Sequence, residues 1–162
     1  AEFEPIYNFL DERRGRLKPF FVVLPQYASP QTASSGTISV SGAIASGDTN
    51  FLVSGTSASG MNLERGDMIT INDSADSNHL KAYKIIRVHD SSNKLSSDSA
   101  LNTASERRYY VSPPFEKSVT SGSTVVFTNP LIRVINTKDV LEYSLGTNNL
   151  YQFSLSLEEA QP

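Results

Sequence analysis

The chain has 162 residues, a net charge of −3, no cysteine and only 19% charged residues. Disulfides and thiolate metal centres are excluded, and so is a global basic field that would draw the protein to DNA or anionic lipid. The 38% hydrophobic content, with eight Phe and seven Tyr set among many Ser, Thr and Asn, fits an all-β chain with many turns. The longest apolar run, Pro19 to Pro25, is strand-sized and far short of the roughly 18–20 residues that span a bilayer. No segment reads as a signal peptide. The chain lacks an initiator Met and begins inside a helix pattern, which reads as processing or as a piece of a longer polypeptide.

The first predicted element is a helix. Phe3, Ile6, Tyr7 and Leu10 recur at steps of three and four, giving one apolar face. Pro5 suits a first turn, Glu2 and Glu4 lie at the positive end of the dipole, and Arg13 and Arg14 at the negative end. Gly15 is the expected C-terminal cap. A strand over 17–24 follows, with Pro19 near its start, where a lost donor is tolerated. Its apolar run on both faces demands burial on both sides or a subunit contact.

The middle of the chain reads as short strands between turns. Thr37–Val40, Asn50–Val53, Met68–Ile71, Ala82–Val88, Tyr109–Val111 and Thr124–Phe127 are the candidates. In the fourth, Tyr83, Ile85 or Ile86, and Val88 are core candidates. Short strands at this spacing predict a small barrel or sandwich. Gly-Asp precedes a strand twice, nineteen residues apart, at Gly47-Asp48 and Gly66-Asp67, and Asp67 is expected to bond turn backbone groups. The tail returns to sheet over 131–135, 140–145 and 150–157, the last two as a hairpin across Gly146–Asn149. Tyr151, Phe153, Leu155 and Leu157 alternate with polar residues, predicting one buried face and pairing with the 19–24 strand or its neighbours.

The expected architecture is therefore mainly β with one N-terminal helix. A discontinuous sheet-plus-helix domain, residues 1–30 and 128–162, carries an inserted β-rich barrel or sandwich module, residues 31–127. Chemical motifs are sparse. His79 and His89 are read as surface or strand-end residues, and no serine lies in a nucleophile elbow. Asp73, Asp76 and Asn78 bring oxygen ligands together without the spacing of a calcium loop, and read as a solvated turn. No catalytic residue, metal site or cofactor is assigned. Arg13, Arg14, Arg16 and Lys18 form the only basic cluster, read first as a solvated helix end and second as a subunit contact. Arg107-Arg108-Tyr109-Tyr110 mixes basic and aromatic residues as binding surfaces do, and also reads as a strand leaving a loop.

The helix, the Arg14-Gly15-Arg16 stretch and the Pro19–Pro25 strand together resemble the opening of tail proteins of tailed bacteriophages. Gly36–Gly42, Ser46–Val53, Leu63–Ile71, Tyr83–Val88 and the closing Tyr151–Glu159 are similar too. The resemblance implies a structural virion component of the tube, distal-tail or baseplate type, made in the host cytoplasm. It implies a homo-oligomer in a sixfold or threefold ring whose partners are itself and other tail proteins, with neither membrane nor direct nucleic-acid recognition. Phe3, Tyr7, Arg13, Arg14, Arg16, Phe20 and Phe21 would then form the subunit interface, and Phe20→Asp or Arg16→Glu would block assembly. The alternative is a carbohydrate- or receptor-binding module presenting Tyr109 and Tyr110, a surface that lacks the Trp common in sugar platforms. A tail-attached hydrolase ranks last, because no carboxylate pair stands out.

Overall fold

The computed structural model describes residues 3–13, 16–54, 62–73, 75–76, 81–101, 103–138, 143–145, 151–153 and 155–160. The side chains of Phe3 and of residues 143–145 and 151–153 fall outside that description, as do Arg14, Gly15 and His79. The chain is mainly β with a single N-terminal helix, and it divides into two compact units: Ala1–Val22 with Ile132–Pro162, and Val23–Leu131. No helix among the described residues is long and apolar enough to cross a membrane.

In the first unit, helix α1 spans Phe3–Arg13. Strand β1 is Phe20–Val22, shorter than the expected 17–24 because Leu17 is exposed and Pro19 cannot donate to a ladder. Lys18 N–H closes the helix end on the Arg13 carbonyl at 3.1 Å. β1 pairs antiparallel with Ile132–Asn136, which in turn pairs antiparallel with Leu157–Glu159. Tyr143–Leu145 and Tyr151–Phe153 form a separate antiparallel pair. The single strand expected over 150–157 is thus two short ones with different partners. Leu155 and Leu157, expected on a buried face, are exposed. Among the described residues its core gathers Leu10, Phe20 and Val134, with Val22 and Ile132 packed against them. Phe9 meets Phe20 edge to face at 5.5 Å, so α1 covers the Phe20 side of the sheet.

The second unit holds β2 (Ile38–Ser39), β3 (Asn50–Val53), β4 (Met68–Asn72), β5 (Ala82–His89), β6 (Arg107–Ser112) and β7 (Thr124–Val126). They form one antiparallel sheet in the order β2-β7-β4-β5-β6-β3. β2 and β3 lie at opposite edges, yet Ser41 N–H donates to the Leu52 carbonyl at 2.7 Å. The sheet must therefore curl until its edges meet, giving a barrel-like sheet that this one bond does not close with a ladder. Its interior is aromatic and β-branched. Phe51 stacks on Tyr109 at 5.4 Å, and Phe115 tilts against Tyr83 at 4.6 Å, among fully buried Ile38, Ile69, Ile71 and Ile85.

Both Gly-Asp turns share one design. Gly47 and Gly66 hold positive φ of +90° and +108°, which side-chain-bearing residues rarely adopt. The aspartate after each glycine accepts the backbone N–H three residues upstream. Ala45 N–H reaches Asp48 Oδ2 at 2.9 Å, and Glu64 N–H reaches Asp67 Oδ2 at 2.8 Å.

Candidate functional site

The strands β5 and β6 carry the polar chemistry of the second unit. A β-bulge interrupts their ladder: Ile85 faces Val111 and Arg87 faces Tyr110, leaving Ile86 as the extra residue. The bulge settles which isoleucine is core. Ile85 is fully buried, Ile86 is 44% exposed, and Val88 returns to the interior opposite Tyr109. Arg87 and His89 consequently share the outer face with Tyr110 and Arg108.

On that outer face the connection between β5 and β6 folds back and is anchored by Asp98. Arg87 grips its carboxylate with two hydrogen bonds, 2.7 Å to Oδ2 and 2.5 Å to Oδ1. The Tyr110 hydroxyl donates to Oδ1 at 2.8 Å, and Leu95 N–H to Oδ2 at 2.9 Å. The Arg87 guanidinium also lies 3.7 Å over the Tyr110 ring. These Arg87 bonds, first among several causes, hold Asp98 well below the usual carboxylate range, and the same bonds raise Arg87. Burial, then the bond to Asp98, pushes the Tyr110 hydroxyl up.

His89 sits beneath this connection at 1% exposure. It lies at a strand end as expected, but it is not a surface residue, because the Asp98-anchored segment covers it. Its Nδ1 has no hydrogen-bond partner among the described residues and stands 3.7 Å from Asp98 Oδ2.

Beside the bulge opens a cleft of about 550 Å³. Ile86 and Val88 contribute apolar surface, Arg65 and Glu64 come from the second Gly-Asp turn, and Asp90 and Asn93 from the β5–β6 connection. Arg107 enters from β6 and donates to Asn62 Oδ1 at 3.3 Å. Both rims are stapled. Asp67 takes Gln31 N–H at 3.0 Å and Gln31 Nε2 at 3.1 Å in addition to Glu64 N–H. Asp90 accepts Ser92 and Asn93 N–H at 2.8 and 2.9 Å. Burial works against the Asp90 charge, yet these donors win and its carboxyl is lowered.

Two residues named from sequence as a ligand surface are consumed by the fold. Tyr109 is fully buried on Phe51, because its side of β6 faces the interior, so it cannot present a ring to a ligand. Tyr110 is half-buried, with its ring under Arg87 and its hydroxyl on Asp98. Neither the cleft nor the Asp98 anchor carries a local sequence signal, since each gathers residues from separate segments.

The residues named for a subunit interface divide sharply. Phe20 is 7% exposed and belongs to the first unit's own core, so it offers nothing to a neighbour. Phe21, on the opposite face of β1, is 47% exposed. Tyr7 is exposed on α1. Arg13 lies 4.6 Å over the Phe9 ring, and the exposed Arg16 donates through Nε to the Thr137 carbonyl at 3.2 Å. Arg14 and the Phe3 side chain lie outside the described residues.

The acidic loop spends its oxygens on the protein. Asp73 accepts Thr120 N–H at 3.0 Å, Ala75 N–H at 2.9 Å and the Thr120 hydroxyl. The Thr120 hydroxyl, foremost among these, holds the Asp73 carboxyl down at about 2. Asp76 pairs with Lys117 at 3.0 Å. Among the described residues no group of three or more His, Cys, Asp or Glu is placed to hold a metal ion.

No family model matches the chain, and no curated protein matches it.

Proposed function

We propose that this protein is a non-enzymatic structural subunit of a larger assembly, of the kind found in tailed-phage tails, and that the first unit is its assembly surface. The observation that carries the reading is where apolar surface remains uncovered. Ile6, Tyr7, Phe9, Leu17, Phe21, Leu155 and Leu157 are exposed in the first unit, against Ile86, Leu95 and Leu131 in the much longer second one. Apolar side chains left in water and concentrated in one unit are the kind of surface that a neighbouring subunit covers. The phage-tail context rests on the sequence resemblance, and the ring, virion location and tail partners follow from that resemblance.

The test is the oligomeric state of the full chain, by light scattering coupled to size exclusion across a hundredfold concentration range. Rings or higher oligomers that dissociate on dilution are expected. A strict monomer throughout the range refutes self-assembly by this chain.

A further inference from the structure

The cleft beside the Ile86 bulge is independent of the assembly surface and carries its own assignment. Its walls combine donors and acceptors of both signs. Arg87 is neutralised by Asp98, which leaves Arg65 and Arg107 against Glu64 and Asp90. A lining balanced in this way has no excess charge to reward a strongly anionic or cationic ligand. Asp90 is spent on the Ser92 and Asn93 N–H groups and Glu64 Oε1 on the Thr32 hydroxyl, so the planar groups that can still bond neighbouring hydroxyls are the guanidinium of Arg65 and the second carboxylate oxygen of Glu64. The Arg65 guanidinium has no partner among the described residues and is exposed at the rim.

The second observation is the bulge itself. Bulges re-aim side chains, and they are over-represented next to functional sites. Here the extra residue is a large aliphatic one, turned out of the core into a polar cleft at 44% exposure. An apolar patch beside an exposed guanidinium and carboxylate fits a ligand with one C–H face and several hydroxyls. The rims are already fixed by Asp67 and by the Asp90 turn, so little ordering cost remains at binding.

We infer that this cleft binds a neutral oligosaccharide, with Ile86 against a sugar ring face and Arg65 and Glu64 on its hydroxyls. The test is amide chemical-shift mapping on the full chain, titrated separately with maltohexaose, cellohexaose and chitohexaose, and with an oligogalacturonate of equal length as the anionic probe. At least one neutral probe should give saturable shifts confined to residues 62–66, 86–88 and 90–93. Arg65→Ala and Ile86→Ser should each weaken that binding by about tenfold or more, Arg65→Ala at unchanged melting temperature because its side chain is exposed, and Ile86→Ser with a melting temperature lowered by only a few degrees, so that both variants are folded when titrated. Phe21→Asp should leave it intact. The inference is overturned if no neutral probe shifts these amides, if the shifts lie elsewhere, if oligogalacturonate binds more tightly, or if both cleft variants bind normally.

Discussion

Phe20 and Phe21 are chemically identical neighbours with opposite surroundings, and truncating each to alanine separates folding from association. Phe20 is 7% exposed and packs with the buried Leu10 and Val134. Burying a Phe side chain stabilises by about 1.5–3 kcal/mol, and the cavity left behind brings the cost of Phe→Ala to about 3–5 kcal/mol. Phe21 keeps 47% of its surface in water, so only about half the transfer term, roughly 1 kcal/mol, is at stake in folding. The other half is available to a neighbouring subunit. A central aromatic anchor costs about 2 kcal/mol or more when truncated at an interface, close to thirtyfold in affinity. Urea unfolding followed by tyrosine fluorescence gives the first quantity, and sedimentation equilibrium the second. Phe20→Ala should unfold the first unit at low urea, whereas Phe21→Ala should stay folded and associate weakly. The reasoning fails if the two variants are equally destabilised, or if Phe21→Ala associates like the parent. Phe20→Asp is uninformative about assembly, because it breaks the fold that would present the interface.

Two further outcomes follow from buried carboxylates. Asp73 has its folded-state value depressed from 3.8 to about 2, so its contribution is complete above the unfolded value and disappears as pH falls through the folded one. The stability gap between the parent and Asp73→Asn should therefore be constant at neutral pH and shrink from pH 3.8 to about 2; a gap independent of pH would contradict the assignment. Asp98→Asn should release the β5–β6 connection, seen as faster hydrogen exchange at the Leu95 amide with little change at the Ile85 amide. Equal protection in both proteins would mean that Asp98 does not anchor the segment.

The local patterns were readable where neighbours in sequence are neighbours in structure. Alternation in Met68–Ile71 placed a strand and the three-and-four spacing placed the first helix, but burial departs from both patterns: Thr70 is buried along with Ile69 and Ile71, and on the helix face Leu10 is buried while Ile6 and Tyr7 stay exposed. The β5 strand was readable up to its bulge. Tyr83 and Ile85 share a face with Val88 only if a residue is skipped, which is why Ile85 and Ile86 could not be separated from periodicity. Tyr109 was misread because its stacking partner, Phe51, is 58 residues away and nothing near Tyr109 announces it. His89 was placed at a strand end, where it lies, but its burial was not legible for a related reason. Its burial depends on Asp98 reaching Arg87 and Tyr110, three residues whose spacing follows no helical or strand period. The aromatic pair Phe20-Phe21 was recognised as two-faced, but only the position of α1 decides which ring it covers.

The pairing of Val22 with Ile132 has a consequence for how such a chain can change. The second unit leaves β1 at Val23 and returns at Leu131, between two residues that are already cross-strand partners. To the first unit, more than a hundred residues are one hairpin turn. Closing a longer loop adds entropy only with the logarithm of its length, so this junction is nearly indifferent to what it carries. A two-residue Asn-Gly turn, or an unrelated module with adjacent termini, satisfies the same boundary condition. The junction acts as a socket, and its cargo is free to diverge without disturbing the sheet that holds it.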